Sequence, residues 1–304
     1  MKVLFVYRVY GEDEKNPVVQ NQIKSLKEYG IDILEYKIAK GGVLSYGINI
    51  IKLLRFSLSN RFDVTHAHYS FSGFLALLGS SKPVVCSLMG SDVLRIDSLK
   101  YRLTTFFAKF LWKKTIVKSS EMSIPNSVVV PNGIDLINFR PIDKEEAQDR
   151  VNFDKSKINI IFVATDIDAD VKNFKLAQEA IYSMEERYKL HPLSNIDYEL
   201  LPFYYSAADL LLLTSKSEGS PNVIKEAMAC NCPIVSTDVG DVARLNHNNL
   251  HCKIVEPNMD SVAKGVISVL NETTPKNSRE FVKELSTQKI NGQLEKIYKE
   301  VANR

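Results

Sequence analysis

Several features that would place this 304-residue chain in a special class are scarce or missing. It has only four cysteines (Cys86, Cys230, Cys232 and Cys252). None forms a Cys-x-x-Cys pair, which argues against a disulfide scaffold and against a thiol redox motif. No run approaches the roughly 20 apolar residues of a membrane span. The formal net charge is only +3, too small by itself to indicate nucleic-acid binding.

Two further absences concern the N-terminus. The first strand-like run, "VLFVY", is not followed by Gly-x-Gly-x-x-Gly, which disfavours a dinucleotide-dependent oxidoreductase. The opening "MKVLFVYRVY" has a short apolar run that continues into charged sequence, so it is interpreted as a strand and not as a signal peptide. Because the cysteines are interpreted as free thiols of a reducing compartment, we expect a cytoplasmic protein.

Short apolar runs alternate with helical periodicity along the whole chain, which predicts an α/β fold with parallel strands. The length favours two domains. Six strand candidates and intervening helices form a first doubly wound layer: "VLFVY", "IDILEY", "DVTHAH", "PVVCSLMG", "TIVKS" and "SVVVPNGID".

The pattern restarts after the turn-rich "PNGIDLINFRP", which is the best linker candidate. The second layer is predicted from strands "NIIFVAT", "DLLLLT", "PIVST", "CKIVE" and a possible "IDYEL", with a helix over "NFKLAQEAIYSMEERYK". We therefore predict an N-terminal domain over 1–141 and a C-terminal domain over 142–285. The final segment, 286–304, is predicted as a helix.

Two connections are unusually short. Only Ser120 to Asn126 separate "TIVKS" from "SVVVP", whereas a crossover between parallel strands needs about a dozen or more residues. The stretch from Tyr188 to Ser206 is also thin for a strand and a helix. Our hypothesis is that loop segments of the expressed protein are missing from the chain at these two places.

The segment "SEGSPNVIKEAMAC" follows an apolar strand and predicts an anion site at a helix start. Pro221 suits the first turn of a helix, and the amides at its start (Ser220, Asn222 and Val223) are unsatisfied donors that favour phosphate. Glu218 lies beside this turn and Glu226 one or two turns into the helix. Two carboxylates, which only accept hydrogen bonds, suit sugar and ribose hydroxyls; a helix-dipole partner and an exposed helix residue are the alternatives.

The segment "SEGSPNVIKEAMACNCPIVSTDVGDV" resembles the E-x7-E region of the GT-B glycosyltransferases of family 4, the group 1 glycosyl transferases. The resemblance extends through "YYSAADLLLLTSKSEG", "VPNGIDLINFRP", "VKNFKLAQEAI", "DVTHAHYSFSG" and "SLMGSD" and covers most of the chain. It implies two Rossmann-like domains facing a central cleft, with the last helix crossing back to the N-terminal domain. It also implies retaining transfer from a nucleotide-sugar, with the donor on the C-terminal domain and the acceptor mainly on the N-terminal one.

The resemblance also implies individual roles. Glu218 contacts the transferred sugar, Glu226 holds the ribose, and Lys172 in "DADVKNF" binds phosphate. Together with the unsatisfied amides at the helix start, these roles make the turn residues Gly219, Ser220, Pro221, Asn222 and Val223 the donor-binding candidates. An Arg that the family usually places about one turn before the Lys is absent here, where "TDIDAD" supplies acids instead.

The N-terminal half offers its own candidates in "SLMGSD". Gly90 allows close backbone approach to the donor, and Asp92 is the candidate to take an acceptor hydroxyl at a strand end. The family often has a histidine where Met89 stands. The loop from Gly11 to Pro17 is predicted to cover the donor.

The histidines of "DVTHAH" are a further candidate. His66 and His68 are expected to point to opposite faces of their strand, which disfavours a metal held by both. His68 is the acceptor-side candidate, although a packing role for both is favoured.

Metal binding has one weak signal. Asp166, Asp168 and Asp170 resemble the carboxylate pairs that hold a divalent ion in the GT-A glycosyltransferases, but a short pattern recurs by chance. We therefore expect no metal and no cofactor.

The basic, aromatic stretch "KFLWKKTIVK" (109–118) could contact the anionic inner membrane leaflet. A solvated helix end followed by a strand is the favoured interpretation.

These patterns predict a cytoplasmic retaining glycosyltransferase, of hexosyltransferase type, that uses a UDP- or GDP-sugar. A saccharide or a lipid-linked acceptor in cell-surface polysaccharide biosynthesis is the expected second substrate. A nucleotide-sugar epimerase and a non-catalytic nucleotide-sugar-binding protein are the alternatives.

Overall fold

The computed structural model describes residues 1–11, 14–39, 43–90, 92–93, 98–247 and 249–303. It divides into two compact units. The N-terminal unit comprises Met1–Gly133 together with Thr287–Arg304, and the C-terminal unit comprises Ile134–Ser286.

The N-terminal unit contains a parallel sheet of six strands in the order β2-β1-β3-β4-β5-β6. The six predicted strands are confirmed, because each apolar run is buried between helices as parallel strands require. Their bounds are β1 Lys2–Arg8, β2 Asp32–Ile38, β3 Val64–His68, β4 Val84–Ser87, β5 Lys114–Val117 and β6 Ser127–Val129.

Helices cover both faces of this sheet. They are α1 Pro17–Glu28, α2 Val43–Ser59, α3 Ser70–Gly79 and α4 Leu99–Phe110. Residues of α1 pack with one face of the sheet, and residues of α2, α3 and α4 pack with the other. Every second strand residue faces each side, so both faces of β1 are apolar.

The short connection from β5 to β6 contains no α-helix. A 3-10 turn, Ser120–Met122, joins the two strands, and Met122 is buried. The strands still pair in parallel, with Ile116 opposite Val128. A single tight turn therefore makes a crossover that usually takes a helix.

The C-terminal unit contains a parallel sheet of five strands in the order β11-β10-β9-β7-β8. Its strands are β7 Ile158–Val163, β8 Tyr188–Leu193, β9 Leu210–Leu213, β10 Ile234–Thr237 and β11 Cys252–Val255. Its helices are α5 Lys144–Val151, α6 Phe174–Tyr182, α7 Leu201–Ala207, α8 Asn222–Ala229, α9 Val242–Leu245 and α10 Met259–Leu270. A 3-10 segment, Ser278–Leu285, closes the unit.

The predicted elements between α6 and β9 are wrong in detail. The helix predicted over 173–189 ends at Tyr182, and the next strand is Tyr188–Leu193, while "IDYEL" forms no strand. Pro192 lies in this strand, although proline is not expected in the middle of a sheet. It is accommodated because β8 is at the edge of the sheet, where a missing N–H does not interrupt a ladder.

The last helix, α11 Thr287–Ala302, belongs to the N-terminal unit. Its buried residues Ile290, Leu294 and Tyr298 pack in the same cluster as Phe5 and Val85 of the sheet. The helix thus completes the core on the α1 side.

Two expectations from composition can be compared with the structure. All four cysteines are buried and free of disulfides. No helix within the described ranges is long and apolar enough to cross a bilayer.

Candidate active site

The strand order of the C-terminal unit marks one place for a ligand. The chain leaves β7 towards β8 on one side and returns to β9 on the other, so the order reverses between β7 and β9. In open α/β sheets, ligands bind at the carboxyl ends of the strands at such a reversal. The segments that follow these strands here are 164–173 and 214–221.

Lys172 and Glu218, one from each segment, contact each other at this place. Lys172 Nζ lies 2.6 Å from Glu218 Oε1, and Ser215 donates to the same oxygen at 2.9 Å. The two side chains are partly exposed, at 25% for Lys172 and 18% for Glu218. The structure thus brings together the two residues that the sequence assigned to phosphate and to sugar, and leaves both within reach of a ligand.

Hydrogen bonds to the backbone hold the two segments in register. Thr214 Oγ1 donates to the Asn173 carbonyl at 2.9 Å, and the Lys216 amide donates to the Val171 carbonyl at 2.8 Å. Lys172 ends a short 3-10 turn, and Asn173 follows it with φ of 52°. Asparagine tolerates this left-handed conformation, so the local sequence fixes where the lysine leaves the backbone.

The start of α8 lies next to Glu218 in sequence. The helix begins at Asn222, so Pro221 occupies the N-cap position with φ of −68°, one residue earlier than predicted. Pro221 has no side-chain group to cap the first turn, and no side-chain capping bond is made there. A helix start of this kind presents amide donors and positive partial charge to an anion.

A third segment, which begins at the last residue of β10, is hydrogen-bonded to this turn and to Ser215. Ser220 Oγ donates to Asp241 Oδ2 at 2.9 Å, and Thr237 Oγ1 donates to the Ser215 carbonyl at 2.7 Å. Gly240 has φ of +55°, and a Cβ there would lie 2.9 Å from the Gly219 carbonyl oxygen. Glycine is therefore required for the close approach that positions the 218–220 turn.

Glu226 lies on the second turn of α8 and is buried. Its Oε2 accepts a hydrogen bond from the Tyr205 hydroxyl at 2.8 Å. Burial raises the pKa of Glu226 to about 7, although Tyr205 and Lys225 both favour the ionised form. The carboxyl therefore changes charge near neutral pH, and Tyr205 holds only one of its two oxygens.

Lys225, the preceding residue, is fully buried on α8. Its Nζ has no hydrogen-bond partner among the described residues. Burial lowers the pKa of Lys225 to about 8, while the negative charges of Asp241 and Glu226 oppose this change. Lys225 is thus a buried basic residue of α8 whose charged form is favoured by Asp241, the acid that accepts a hydrogen bond from Ser220.

The N-terminal unit places Asp92 differently. Its carboxylate is buried and already has four donors: the Ser70 amide and hydroxyl at 3.1 and 2.7 Å, the Met89 amide at 3.0 Å and Lys100 at 3.3 Å. By accepting from Ser70 it caps the start of α3. Neither carboxylate oxygen of Asp92 is exposed to a substrate in this arrangement.

Two glycines predicted near the donor have left-handed backbones. Gly90 has φ of 126° and Gly11 has φ of 70°, conformations that residues with a Cβ rarely adopt. Both positions follow carboxyl ends of strands, β4 and β1. The predicted covering loop from Gly11 to Pro17 includes residues 12 and 13, which lie outside the described residues.

The expectation that His66 and His68 point to opposite faces is wrong. Their ring centroids are 4.3 Å apart, because side chains two residues apart on a strand share a face. His66 bonds to Tyr298 and Ser87 at 2.6 and 2.7 Å, whereas neither ring nitrogen of His68 has a partner among the described residues. Both rings are buried, and burial lowers both pKa values well below the usual range.

The aspartates of "DIDAD" are tied to their own surroundings. The Asp168 amide donates to Asp166 at 3.2 Å, and Asp170 pairs with Lys216 at 2.6 Å. Within the described part of the chain, no group of three or more His, Cys, Asp and Glu side chains is arranged to hold a metal ion.

Sequence reasoning missed four polar residues of this region: Ser215, Tyr205, Lys225 and Asp241. Of these, Lys225 could have been recognised from the sequence, because a lysine inside the apolar stretch "VIKEAMA" is unusual for a buried helix face. The contacts of Tyr205 and Asp241 join residues 21 positions apart, which local patterns do not indicate.

Comparison with protein families gives one match in this unit. Residues 144–287 match the family "Glycosyl transferases group 1". The matched region contains all five strands of the C-terminal sheet and both candidate carboxylates.

Similar curated proteins have related descriptions. The chain is 25% identical to an uncharacterized glycosyltransferase of Methanocaldococcus jannaschii, over 99% of this chain and 90% of the other. It is 27% identical to the putative teichuronic acid biosynthesis glycosyltransferase TuaC of Bacillus subtilis, over 67% of this chain and 60% of TuaC.

Solved structures share the fold over the full chain. The Anabaena protein HepE in complex with UDP and glucose has a TM-score of 0.79 at 13% identity and covers 99% of this chain and 100% of its own. The sucrose-phosphate synthase of Thermosynechococcus elongatus has a TM-score of 0.77 at 16% identity, over 98% of both chains. The predicted GT-B fold is confirmed, and the family match together with this fold supports a GT-B glycosyltransferase.

Proposed function

We propose that this chain is a retaining glycosyltransferase of family 4 and hexosyltransferase type. It moves a sugar from a UDP- or GDP-linked donor to a saccharide or lipid-linked acceptor in cell-surface glycan biosynthesis. The observation that carries the proposal is the Lys172–Glu218 pair at the ends of β7 and β9, beside the start of α8. The descriptions of TuaC and of the HepE complex support the glycan pathway and the UDP-sugar donor.

In this proposal the donor diphosphate replaces Glu218 as the partner of Lys172. A diphosphate carries more negative charge than one carboxylate. While it contacts Lys172, it can also accept hydrogen bonds from the amides at the start of α8, whereas the Glu218 side chain does not satisfy both sets of donors at once. Glu218 is then free to accept hydrogen bonds from hydroxyls of the transferred sugar. The resting ion pair keeps both side chains oriented before the donor arrives.

Glu226 takes the ribose. Tyr205 occupies Oε2, which leaves Oε1 to accept from ribose hydroxyls. An ionised carboxylate accepts such bonds more strongly than its protonated form. Donor affinity therefore depends on the charge of Glu226.

The chemical difficulty is the negative charge that develops on the departing nucleoside diphosphate. Lys172 and the amides at 220–223 lie where this charge grows, and preorganised donors of this kind stabilise a transition state. We infer attack on the same face of the sugar, with the departing phosphate accepting the proton of the acceptor hydroxyl. This step retains the anomeric configuration.

On the N-terminal unit we place Gly11 and Gly90 against the donor and the acceptor on the side of His68 and Asp92. Because Asp92 already has four donors, we propose that it positions the Met89–Gly90 turn. Direct contact of Asp92 or His68 with the acceptor stays a prediction.

We propose that no metal is required, because Lys172 and the helix start supply the positive charge. Addition of EDTA should leave transfer unchanged. Loss of activity that manganese restores would revive a metal role for the "DIDAD" aspartates.

The donor can be identified by thermal-shift measurements with UDP-, GDP- and ADP-sugars, since a bound ligand raises the apparent stability. The stabilising donor is then labelled in its sugar and incubated with a panel of saccharide and lipid-linked acceptors. Label on an acceptor, with the anomeric configuration of the donor, supports the proposal. Label that stays on the nucleotide in an isomerised sugar indicates an epimerase, and stabilisation without turnover indicates a binding protein.

A further inference from the structure

Helix α4 turns large apolar side chains away from the sheet. Leu99, Leu103, Phe106 and Phe110 recur at helical spacing and are 70%, 43%, 51% and 62% exposed. Two small residues of the same helix, Thr104 and Ala108, are the buried ones. A surface helix of a globular protein normally has the reverse arrangement.

The same outward pattern continues on the two helices that pack on this face of the sheet. Large apolar side chains are exposed at Ile48, Ile51, Leu54 and Leu58 of α2 and at Phe71 and Leu78 of α3. These three helices, of 17, 10 and 12 residues, carry ten of the 22 exposed large apolar side chains in the described part of the chain. Such concentration marks an interaction surface, which we name the α2–α4 surface.

The charges on this surface have one sign. Helices α2, α3 and α4 contain no Asp or Glu, although the chain has 36 acidic residues. They contain five cations, of which Lys52, Arg55, Arg102 and Lys109 are exposed. Lys109 Nζ lies 5.0 Å from the centre of the Phe110 ring, so charge and apolar surface are adjacent.

Trp112 is not part of the α2–α4 surface. It is 2% exposed and donates through Nε1 to the Gly73 carbonyl at 3.1 Å. The basic stretch 109–118 therefore contributes Lys109 and Phe110, while its tryptophan belongs to the core. The surface is wider than that stretch and lies mainly on residues that precede it.

We propose that the α2–α4 surface docks on an anionic lipid bilayer. Apolar side chains beside Lys and Arg are the composition that binds the headgroup region, where buried apolar area and attraction to anionic lipid add together. A second copy of this chain is a poor occupant, because two surfaces of the same sign repel each other. This inference concerns the N-terminal unit alone and does not depend on the proposed sugar transfer.

The test is co-sedimentation of the full chain with vesicles of phosphatidylcholine alone and of phosphatidylcholine mixed with phosphatidylglycerol. We expect binding to the mixed vesicles that weakens with salt. Phe106→Ser together with Phe110→Ser should reduce it at least tenfold. Replacement of Lys52 or Arg102 by Gln should reduce it about fivefold each, which corresponds to about 1 kcal/mol per cation at an anionic surface.

The matched control is Ile137→Ser with Tyr182→Ser, two apolar side chains that are 85% and 73% exposed in the C-terminal unit. It should bind vesicles like the parent, and circular dichroism should show all variants folded. Absence of vesicle binding, or equal binding to both vesicle types at all salt concentrations, would overturn the proposal. So would a dimer that the two Phe substitutions dissociate, since a second copy would then cover the surface.

Discussion

The two units hold their candidate polar residues in opposite ways. In the C-terminal unit, Lys172 and Glu218 contact each other at the ends of neighbouring strands and stay partly exposed. In the N-terminal unit, Asp92 and His68 are buried, and the carboxylate of Asp92 is fully occupied by protein donors.

This difference indicates that the proposed donor side is assembled before any ligand binds. Three segments, after β7, β9 and β10, are hydrogen-bonded to one another, so the ion pair and the start of α8 keep a fixed geometry. The polar groups of the N-terminal unit support backbone turns instead. We therefore expect substitutions in the two units to differ in kind: loss of donor chemistry in one, loss of stability in the other.

The largest effect is expected for Glu218→Ala. If Glu218 contacts the transferred sugar as proposed, its removal should lower kcat about 100- to 1000-fold, the range for loss of one preorganised group in an active site. Slow hydrolysis of the labelled donor measures this without a known acceptor. Turnover near that of the parent in a folded variant would remove Glu218 from the mechanism.

Lys172→Ala should weaken binding of a nucleoside diphosphate about 10- to 100-fold, because a charged hydrogen bond to phosphate contributes about 1.5–3 kcal/mol. Isothermal calorimetry gives the Kd. The matched control is Lys216→Ala, which removes a nearby, half-exposed lysine that pairs with Asp170. Equal affinity of the Lys172 variant and this control would contradict the assignment.

For the N-terminal unit, Asp92→Ala should act on stability. It leaves the Ser70 amide and hydroxyl and the Met89 amide without their acceptor, so the free energy of unfolding should fall by about 1–3 kcal/mol. Urea denaturation measures this change, while calorimetry should show a smaller loss of donor affinity than for Lys172→Ala, because Asp92 acts on the donor only through the Met89–Gly90 turn. Loss of donor binding at full stability would break the contrast between the units.

The smallest effect is expected for the charge of Glu226. Because its pKa is raised to about 7, its ionised fraction increases from about pH 6 to about pH 7.5, and affinity for a nucleotide-sugar should rise up to about eightfold over this range. Lys225, with a pKa of about 8, remains mostly protonated there. The Glu226→Gln variant should bind the nucleotide-sugar with an affinity that does not change with pH. The same pH dependence in the variant as in the parent would contradict the role of Glu226.

Local patterns in the sequence were sufficient for ten of the eleven strands in the described part of the chain, because buried parallel strands are continuous apolar runs. The strand at Tyr188–Leu193 was missed because Pro192 is accommodated only by its place at the sheet edge, which depends on tertiary structure. The segment around Glu218 could be found because a helix start with proline follows an apolar strand. The roles of Glu218 and Lys172 were predicted from the resemblance to the group 1 glycosyl transferases.

The rest of the candidate site depends on contacts between distant segments. The bond of Tyr205 to Glu226, the anchoring of Ser220 by Asp241 and the capping of α3 by Asp92 each join residues more than 20 positions apart. Such contacts decide whether a polar side chain is free for a ligand. The sequence therefore predicted the residue types of the site, and the structure was needed to separate ligand-facing residues from supporting ones.

The most direct test of the central claim is a crystal structure of the chain soaked with UDP-glucose or a GDP-sugar. We expect the diphosphate within about 3 Å of Lys172 Nζ and the first amides of α8, with the ribose at Glu226 and the sugar at Glu218. A nucleotide bound elsewhere, with Lys172 still paired to Glu218, would contradict it.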